Sequence, residues 1–491
     1  MRLAQLFFTF AAAALLAGCA VGPDFERPAS PAVDAYTREP LAEKTASASI
    51  AGGEEQRFVR DLDIAAQWWT LFQSPQLNAL IEKALKANAS VQAAQAALRV
   101  AQELAYAQQG FYYPAVEANY SRSRQRSSAT LSPVLNSSDA VFNLYTAQVT
   151  VSYAPDVFGL NRRQVEALQA QADSQRFQLE ATYLTLTSNV VVAAVQEAGL
   201  RSQIAAAQDI IALNAKSLDL FRRQLAAGAV AGIEVAAQEA ALAQAQQALP
   251  PLQKQLAQTR NQLAALTGRF PAEGTEQTFE LSALRLPDEL PLSLPSKLVE
   301  QRPDVRAAEE QLHAASAQIG VAVANMLPQF TIAAAKGGIA TEFSQMFANS
   351  NPFWSVGGSV TQTIFAGGTL LHRKRAAEAA FDQAAAQYRS TVIAAFQNVA
   401  DSLYALQADA DALKAAVNSE RAARVTLELV TRQVQVGQVN YLALLSAHQT
   451  YQQALISLSQ ARANRFADTA ALFQALGGGW WNRSSPETVN K

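Results

Sequence analysis

Three kinds of hydrophobic and polar run follow one another along this chain. The longest is helical: Leu160 to Ala227 holds no proline and a single glycine, Gly199. At 1.5 Å rise per residue it predicts a helix roughly 100 Å long, whereas ordinary globular helices hold about 11–12 residues. Thr369 to Val436 is equally long and has neither glycine nor proline. Stepping by sevens through the first run gives two apolar columns. One passes through Val165, Ala172, Leu179, Leu186, Ala193, Leu200, Ala207, Asn214 and Phe221, the other through Ala170, Phe177, Leu184, Val191, Ala198, Ala205 and Ala212. In a frame of 3.5 residues per turn the columns lie roughly 150° apart. One seam serves a two-helix coil; two seams predict a stave in the wall of a cylinder. A buried helix in a large bundle is the plainer alternative.

The second kind of run alternates with period two. Val116, Ala118 and Tyr120 are apolar between Glu117, Asn119 and Ser121, and Tyr145, Ala147, Val149, Val151 and Tyr153 are interleaved with polar residues. Phe330, Ile332 and Ala334, then Trp354, Val356, Val360 and Ile364, repeat the pattern. Alternation predicts strands with one apolar and one polar face. A half-buried soluble hairpin carries the same signal. The aromatic ends (Phe111, Tyr113, Tyr153, Phe158) favour a lipid-facing barrel with a wet interior.

The third kind punctuates. Pro114 and Pro328 each end a helical stretch ahead of a strand pair. Gly228 and Gly437 end the two long runs about 209 residues apart and predict tight reversals into further helices. Pro250-Pro251 predicts a kink or split near Leu249. The chain therefore reads as a tandem duplication of helix, strand pair, long helix, turn and helix. The segments are 1–18, a signal peptide; 19–60, an irregular tether; 61–268, the first repeat; 269–296, a proline-rich linker; 297–477, the second repeat; and 478–491, a tail. The fold class is an α+β membrane protein. Four strands cannot close a barrel, for which about eight is the minimum, so a dimer, trimer or tetramer would supply 8, 12 or 16.

The N-terminus supplies the address. Arg2 and the apolar Leu6 to Leu16 form a signal peptide ending in Leu16-Ala17-Gly18-Cys19, which looks like a bacterial lipobox. Cys19 is the only cysteine among 491 residues, so its expected role is to carry lipid, palmitate included, and no intramolecular disulfide is possible. Ala20 follows it in place of an acidic residue, which favours the outer membrane. A net charge of −2 with 16% charged residues gives no sign of a nucleic-acid partner. No apolar run beyond the signal reaches the roughly 18 residues of a spanning helix.

Catalytic chemistry is not expected. His313, His372 and His448 lack acidic or cysteine partners at ligand spacing, and no phosphate loop, nucleophile elbow or zinc-helix motif occurs. Neither a metal nor a cofactor is expected beyond the lipid on Cys19. The chain does not read as an enzyme.

Four segments carry a resemblance: Cys19-Ala20-Val21-Gly22-Pro23-Asp24-Phe25; Leu298-Val299-Glu300-Gln301-Arg302-Pro303-Asp304-Val305-Arg306-Ala307-Ala308-Glu309; Ile319-Gly320 with Met326-Leu327-Pro328; and Gly437 with Asn440-Tyr441-Leu442 and Leu444-Leu445. With them the chain resembles the outer-membrane factors of tripartite efflux pumps, the TolC-like and OprM-like proteins, in their NodT-type lipoprotein branch. The resemblance implies a homotrimer with a twelve-stranded transmembrane β-barrel and a long coiled-coil α-barrel. It further implies a passive channel fed by a periplasmic adaptor and an inner-membrane transporter of the RND type, embedded in outer-membrane lipid. It places a closed iris near Gly228 and Gly437. Acidic rings in similar proteins fall here on Ala443 and Ser446, so Glu234, six residues after Gly228, becomes the candidate carboxylate of the constriction. A solvated helix-start glutamate is the competing reading. Leu429, Thr431 and Ser446 complete the candidate gate. A periplasmic adaptor and a structural coiled-coil lipoprotein are the rival functions; the first would lack the duplicated strand set, the second all alternating strands.

Overall fold

A computed structural model of the chain describes residues 20–126, 141–274 and 277–483. Cys19 and the segment expected to be a signal peptide ending in a lipobox lie outside them. The described elements, in chain order, are β1 (Arg57–Arg60), α1 (Pro75–Ala87), α2 (Ala89–Gln109), β2 (Ala115–Arg126), β3 (Val141–Tyr153), α3 (Leu160–Ala226), α4 (Gly232–Leu266), β4 (Glu289–Leu292), α5 (Pro295–Gln301), α6 (Pro303–Ala324), β5 (Gln329–Ala340), β6 (Pro352–Thr361), α7 (Thr369–Gln435) and α8 (Tyr441–Ala475). The long runs are helices of 67 residues each, and each is followed by a helix of 35. Leu160 and Thr369, Ala226 and Gln435, Gly232 and Tyr441, and Leu266 and Ala475 all stand 209 residues apart. The duplication therefore holds residue for residue through both helical hairpins.

Two compact units divide the chain, each drawing on both repeats. The first takes Met1–Pro28, Leu98–Gln175 and Ala308–Tyr388; the second takes Ala29–Ala97, Arg176–Ala307 and Arg389–Lys491. The first unit contains an antiparallel sheet in the order β2-β3-β5-β6. Its register aligns the alternation of all four strands. Val116 faces Val151, which faces Ala334, which faces Val356; one step along, Ala118 and Val149 lie in a row that ends at Trp354. Opposed residues share a face, so the separate period-two signals merge into one predominantly apolar surface. Val116, Tyr120, Ile332, Trp354, Val356 and Val360 are exposed on it. Among the described residues β2 and β6 each pair along one edge only.

The second unit holds an aromatic core. Trp68 stacks on Phe473 at 5.3 Å, with Phe72 and Phe466 beside them, and Leu77, Leu80, Ile81, Leu263 and Leu298 of the same unit are also buried. Residues 44–60, expected to be irregular, are tied to this unit. The buried guanidinium of Arg465 donates to Thr45 Oγ1 at 3.1 Å and to the carbonyl of Glu54, while β1 pairs in parallel with β4. The supposed linker thus supplies a strand. Each strand has four residues and β4 contains Pro291, so neither offers enough alternation to read.

Two helix expectations need correction. The helical stretch that ends ahead of Pro114, one continuous helix from about Pro75 to Gly110 in the sequence pattern, is broken at Asn88, whose ψ is 125°. Its side chain accepts from the N–H groups of Ser90 and Val91 and donates to the Leu266 carbonyl at 2.9 Å, capping one helix while it ends the other. Conversely, Pro250-Pro251 does not split α4. The bonds lost are those to the carbonyls of Gln246 and Gln247, and all four residues lie on the exposed side, where water serves those oxygens.

The two columns of α3 fare differently. Ala172, Leu186, Ala193, Ala207, Asn214 and Phe221 are buried. In the second column Ala170, Phe177, Val191 and Ala198 are buried, but Ala205 and Ala212 are exposed. Towards Gly228 the second seam is left open in a single chain.

Candidate functional site

The turns at Gly228 and Gly437 belong to the second unit and share one backbone design. Gly228 has φ +71° and Gly437 φ +74°, conformations that glycine adopts at little cost. In each, the residue after the glycine donates five residues back, Ala229 to Gln224 and Gln438 to Gln433, both at 2.9 Å. Each glycine donates three residues back, to Leu225 and to Val434. These are Schellman closures, which satisfy the last carbonyls of α3 and α7.

Behind the turns Leu218, Phe221, Val235, Leu427, Tyr441, Leu444 and Ala447 form a buried cluster, in which the Phe221 and Tyr441 rings approach to 3.7 Å. A polar network crosses it. Gln238, fully buried, donates to the Asn214 carbonyl at 2.8 Å and to Asn214 Oδ1 at 3.1 Å, and accepts from the Tyr441 hydroxyl. Asn214 in turn donates to the Ile210 carbonyl at 2.9 Å. Burial pushes the Tyr441 hydroxyl up to about 12 and the nearby His448 below its ordinary value. The network joins α3, α4 and α8 and was not foreseen. Its one visible signal is Asn214, a polar residue in an otherwise apolar seam, the kind of residue that fixes helix register.

The gate candidates occupy the margins of this cluster. Glu234 is partly buried, and its Oε2 accepts from the N–H of Ala231 at 2.5 Å. Its carboxylate thus serves the N-cap amide of α4, the helix-start role weighed against a pore role from the sequence. Leu429 is 53% exposed. Thr431 turns its hydroxyl back onto the Leu427 carbonyl at 2.6 Å, and Ser446 is exposed. Ala443, at the position matching Glu234, donates its N–H to Asn440 Oδ1 at 3.2 Å. Ile233, Val436 and Leu442 are 77%, 69% and 60% exposed, so the turns present apolar side chains outward.

The histidine expectation changes. His372 is exposed and His448 buried, but His313, in the first unit, has acidic neighbours: Glu166 at 3.2 Å and Glu310 at 3.3 Å. Glu166 lies 147 residues away in sequence, out of reach of any spacing rule, whereas Glu310, three residues before His313 on the same helix, was within reach of one. Among the described residues no group of three or more His, Cys, Asp or Glu could hold a metal ion.

Two long helical hairpins and a four-stranded sheet with an apolar face and two open edges define the build of an outer-membrane channel. The chain belongs to the outer membrane efflux protein family, whose description matches residues 80–269 and 294–478. It is 28% identical over 472 residues to the toluene efflux pump outer membrane protein TtgC of Pseudomonas putida, covering 96% of this chain and 94% of that one. It is 29% identical over 417 residues to the pyoverdine export outer membrane protein OpmQ of the same species, covering 84% and 88%. Among solved structures, the outer-membrane channel OprN matches with a TM-score of 0.83 and 26% identity over 94% of this chain and all of that one. VceC of Vibrio cholerae matches at 0.78 and 26% over 85% of this chain and all of that one. The protein is thus an outer-membrane efflux channel, and its relatives are channel and transport proteins.

Proposed function

We propose that the chain is the passive outer-membrane conduit of a tripartite efflux assembly. Three copies join their sheets edge to edge into a twelve-stranded barrel, and their long helices line the periplasmic channel. A periplasmic adaptor and an inner-membrane transporter of the RND type deliver the substrate, and this chain performs no chemistry on it. Lipid on Cys19 tethers the N-terminus to the outer membrane. Glu234, Leu429, Thr431 and Ser446 border the constriction that opens when adaptor contacts shift the turns.

The observation that supports this reading is the sheet. Strands β2 and β6, of 12 and 10 residues, are long enough for the roughly 9–11 residues of a spanning strand. Each leaves one edge unpaired among the described residues. Unpaired edges are costly in lipid, where no water serves the free amides, and four strands fall short of closure. Electrophoresis with and without heating, followed by conductance in planar bilayers, tests the reading. A heat-labile band at three times the chain mass with steady ion conductance is expected; a monomer that conducts nothing overturns it.

A further inference from the structure

The cations of the four-stranded sheet stand on its apolar face. Strands β2, β3, β5 and β6 carry Arg122, Arg124, Arg126 and Lys336, and a single acid, Glu117. Strand parity puts Val116, Ala118 and Tyr120 on one side of β2, and Glu117, Ser121 and Gln125 on the other. All three arginines share the side of Val116. Lys336 joins them, because it pairs with Val149 on one side and Trp354 on the other. All four cations are exposed. The acid alone faces the polar side, where a water-filled interior would accept either sign.

Their position along the face is equally specific. Strand β2 starts just beyond α2 and runs away from it, so Arg122 to Arg126 lie at its far end. There the rings of Tyr120 and Tyr145 each meet Phe343 edge-on at 6.1 Å, and the Arg122 guanidinium lies 5.4 Å from the Tyr145 ring centre. Gly338 belongs to the row of Tyr120 and Ala147, and a Cβ on it would collide with the Met346 carbonyl. The connection from β5 to β6 is therefore pressed onto this same face and brings Phe343 with it. At the near end Tyr113 is 74% exposed. Arg122 is nine residues further on, about 30 Å of extended chain, which a strand tilt of about 40° reduces to about 23 Å. An outer-membrane barrel has an apolar band about 25 Å tall between two aromatic girdles. Arg122 thus stands where such a band ends, with Arg124 and Arg126 beyond it.

A charge in the middle of the band is costly and one at its rim is not, and a cation at the rim gains where the headgroups are anionic. Guanidinium groups fork onto phosphate oxygens, and three of them at steps of two cover about 13 Å of strand. Lys336, nearer the middle, has a stem long enough to carry its charge towards the rim. We propose that Arg122, Arg124 and Arg126, above the cluster of Tyr120, Tyr145 and Phe343, bind the phosphate-bearing headgroup of a lipid in the outer leaflet of the outer membrane. The acyl chains of that lipid lie along the apolar face below. The inference rests on the reading of the sheet as part of a transmembrane barrel.

The full-length protein in detergent micelles is titrated with lipid A and, separately, with lipid A stripped of its phosphates, and bound lipid is counted by native mass spectrometry. The phosphorylated form is expected to bind about ten-fold more tightly. Joint replacement by Arg122→Gln, Arg124→Gln and Arg126→Gln abolishes the difference, whereas Glu117→Gln, on the opposite face, preserves it. Inorganic phosphate at the same concentration leaves the lipid in place; displacement would mark a site for free phosphate and overturn the lipid assignment. Equal binding of the two lipids by the wild type, or a preference that survives the triple replacement, also overturns it. Steady conductance of the triple variant in planar bilayers shows that it is folded. A wild type that conducts without preferring the phosphorylated lipid loses the lipid site alone; one that never conducts loses the barrel reading and the site with it.

Discussion

The two helical hairpins have one backbone and two sets of side chains. At the turns the first hairpin has Ala231 as N-cap and Glu234 three residues on; the second has Asn440 and Ala443 at the matching places. Each carries half of a capping box. In the first, the Glu234 carboxylate reaches back to the N-cap amide; in the second, the Asn440 side chain reaches forward to the amide of Ala443. The same helix end is capped from opposite sides, so only one hairpin has a charge there. Farther from the turns the difference reverses. The first hairpin has Leu200 and Thr259 where the second has Asp409 and Asp468. Burial, then the hydrogen bond and charge of Asp468, raise Asp409 to about 7, against Arg465. The nearby buried carboxylate of the first hairpin, Glu197, is instead met by cations, Arg201 at 2.9 Å and Arg260 at 3.8 Å. Duplication preserved the main chain and let the charges part.

The largest test of this comparison is Tyr441→Ala. It removes the ring packed on Phe221 and leaves Gln238 Oε1 without its hydroxyl donor, a loss of about 3 kcal/mol or more. Hydrogen exchange around Gly437 is expected to rise strongly. Because Gln238 and Asn214 belong to the first hairpin, exchange around Gly228 should rise with it. Loosening confined to the second turn would show that the polar network does not couple them.

How far such coupling can be read from sequence depends on the distance over which a signal acts. The long helices were legible because their register, their lack of proline and their near-absence of glycine (Gly199 alone) are local. The β-sheet was legible because alternation in each strand points to the same face, and pairing only brought the faces together. Gln238 and Tyr441 lie 203 residues apart, and only the odd Asn214 in a seam hinted at them. Glu234 was read both as a charge near a gate and as a helix-start glutamate, because its place in the first turn of α4 is a local signal; its bond to the Ala231 N–H is the second of these roles. The pairing of β1 with β4 joins segments more than two hundred residues apart, each of four residues.

The second test uses pH. A carboxyl raised in the folded state gives stability that is complete below its ordinary value and is lost as pH rises, here through about 7. Between about pH 6 and about pH 8, α7 and α8 near Asp409 are expected to lose exchange protection after correction for the intrinsic rate. Asp409→Asn keeps the shape, removes the charge and should flatten the change. A slope that persists in Asp409→Asn assigns it to another group.

The smallest effects decide what Glu234 is for. Asn440→Ala removes the side-chain cap of α8 and should cost about 1 kcal/mol, read as faster exchange at the start of that helix. Glu234→Gln is subtler, because a glutamine carbonyl can still accept from the Ala231 N–H. The cap of α4 then weakens by only about 0.5 kcal/mol, the share owed to a negative charge at a helix N-terminus. If the carboxylate also borders the pore, cation preference in planar bilayers falls in Glu234→Gln and falls equally in Glu234→Ala, while only Glu234→Ala loosens the helix start. Unchanged selectivity in both variants leaves Glu234 as a cap and removes it from the constriction. The two turns would then differ in which amide of the helix start a side chain satisfies, that of the N-cap residue Ala231 in the first and that of Ala443, three residues past the N-cap, in the second.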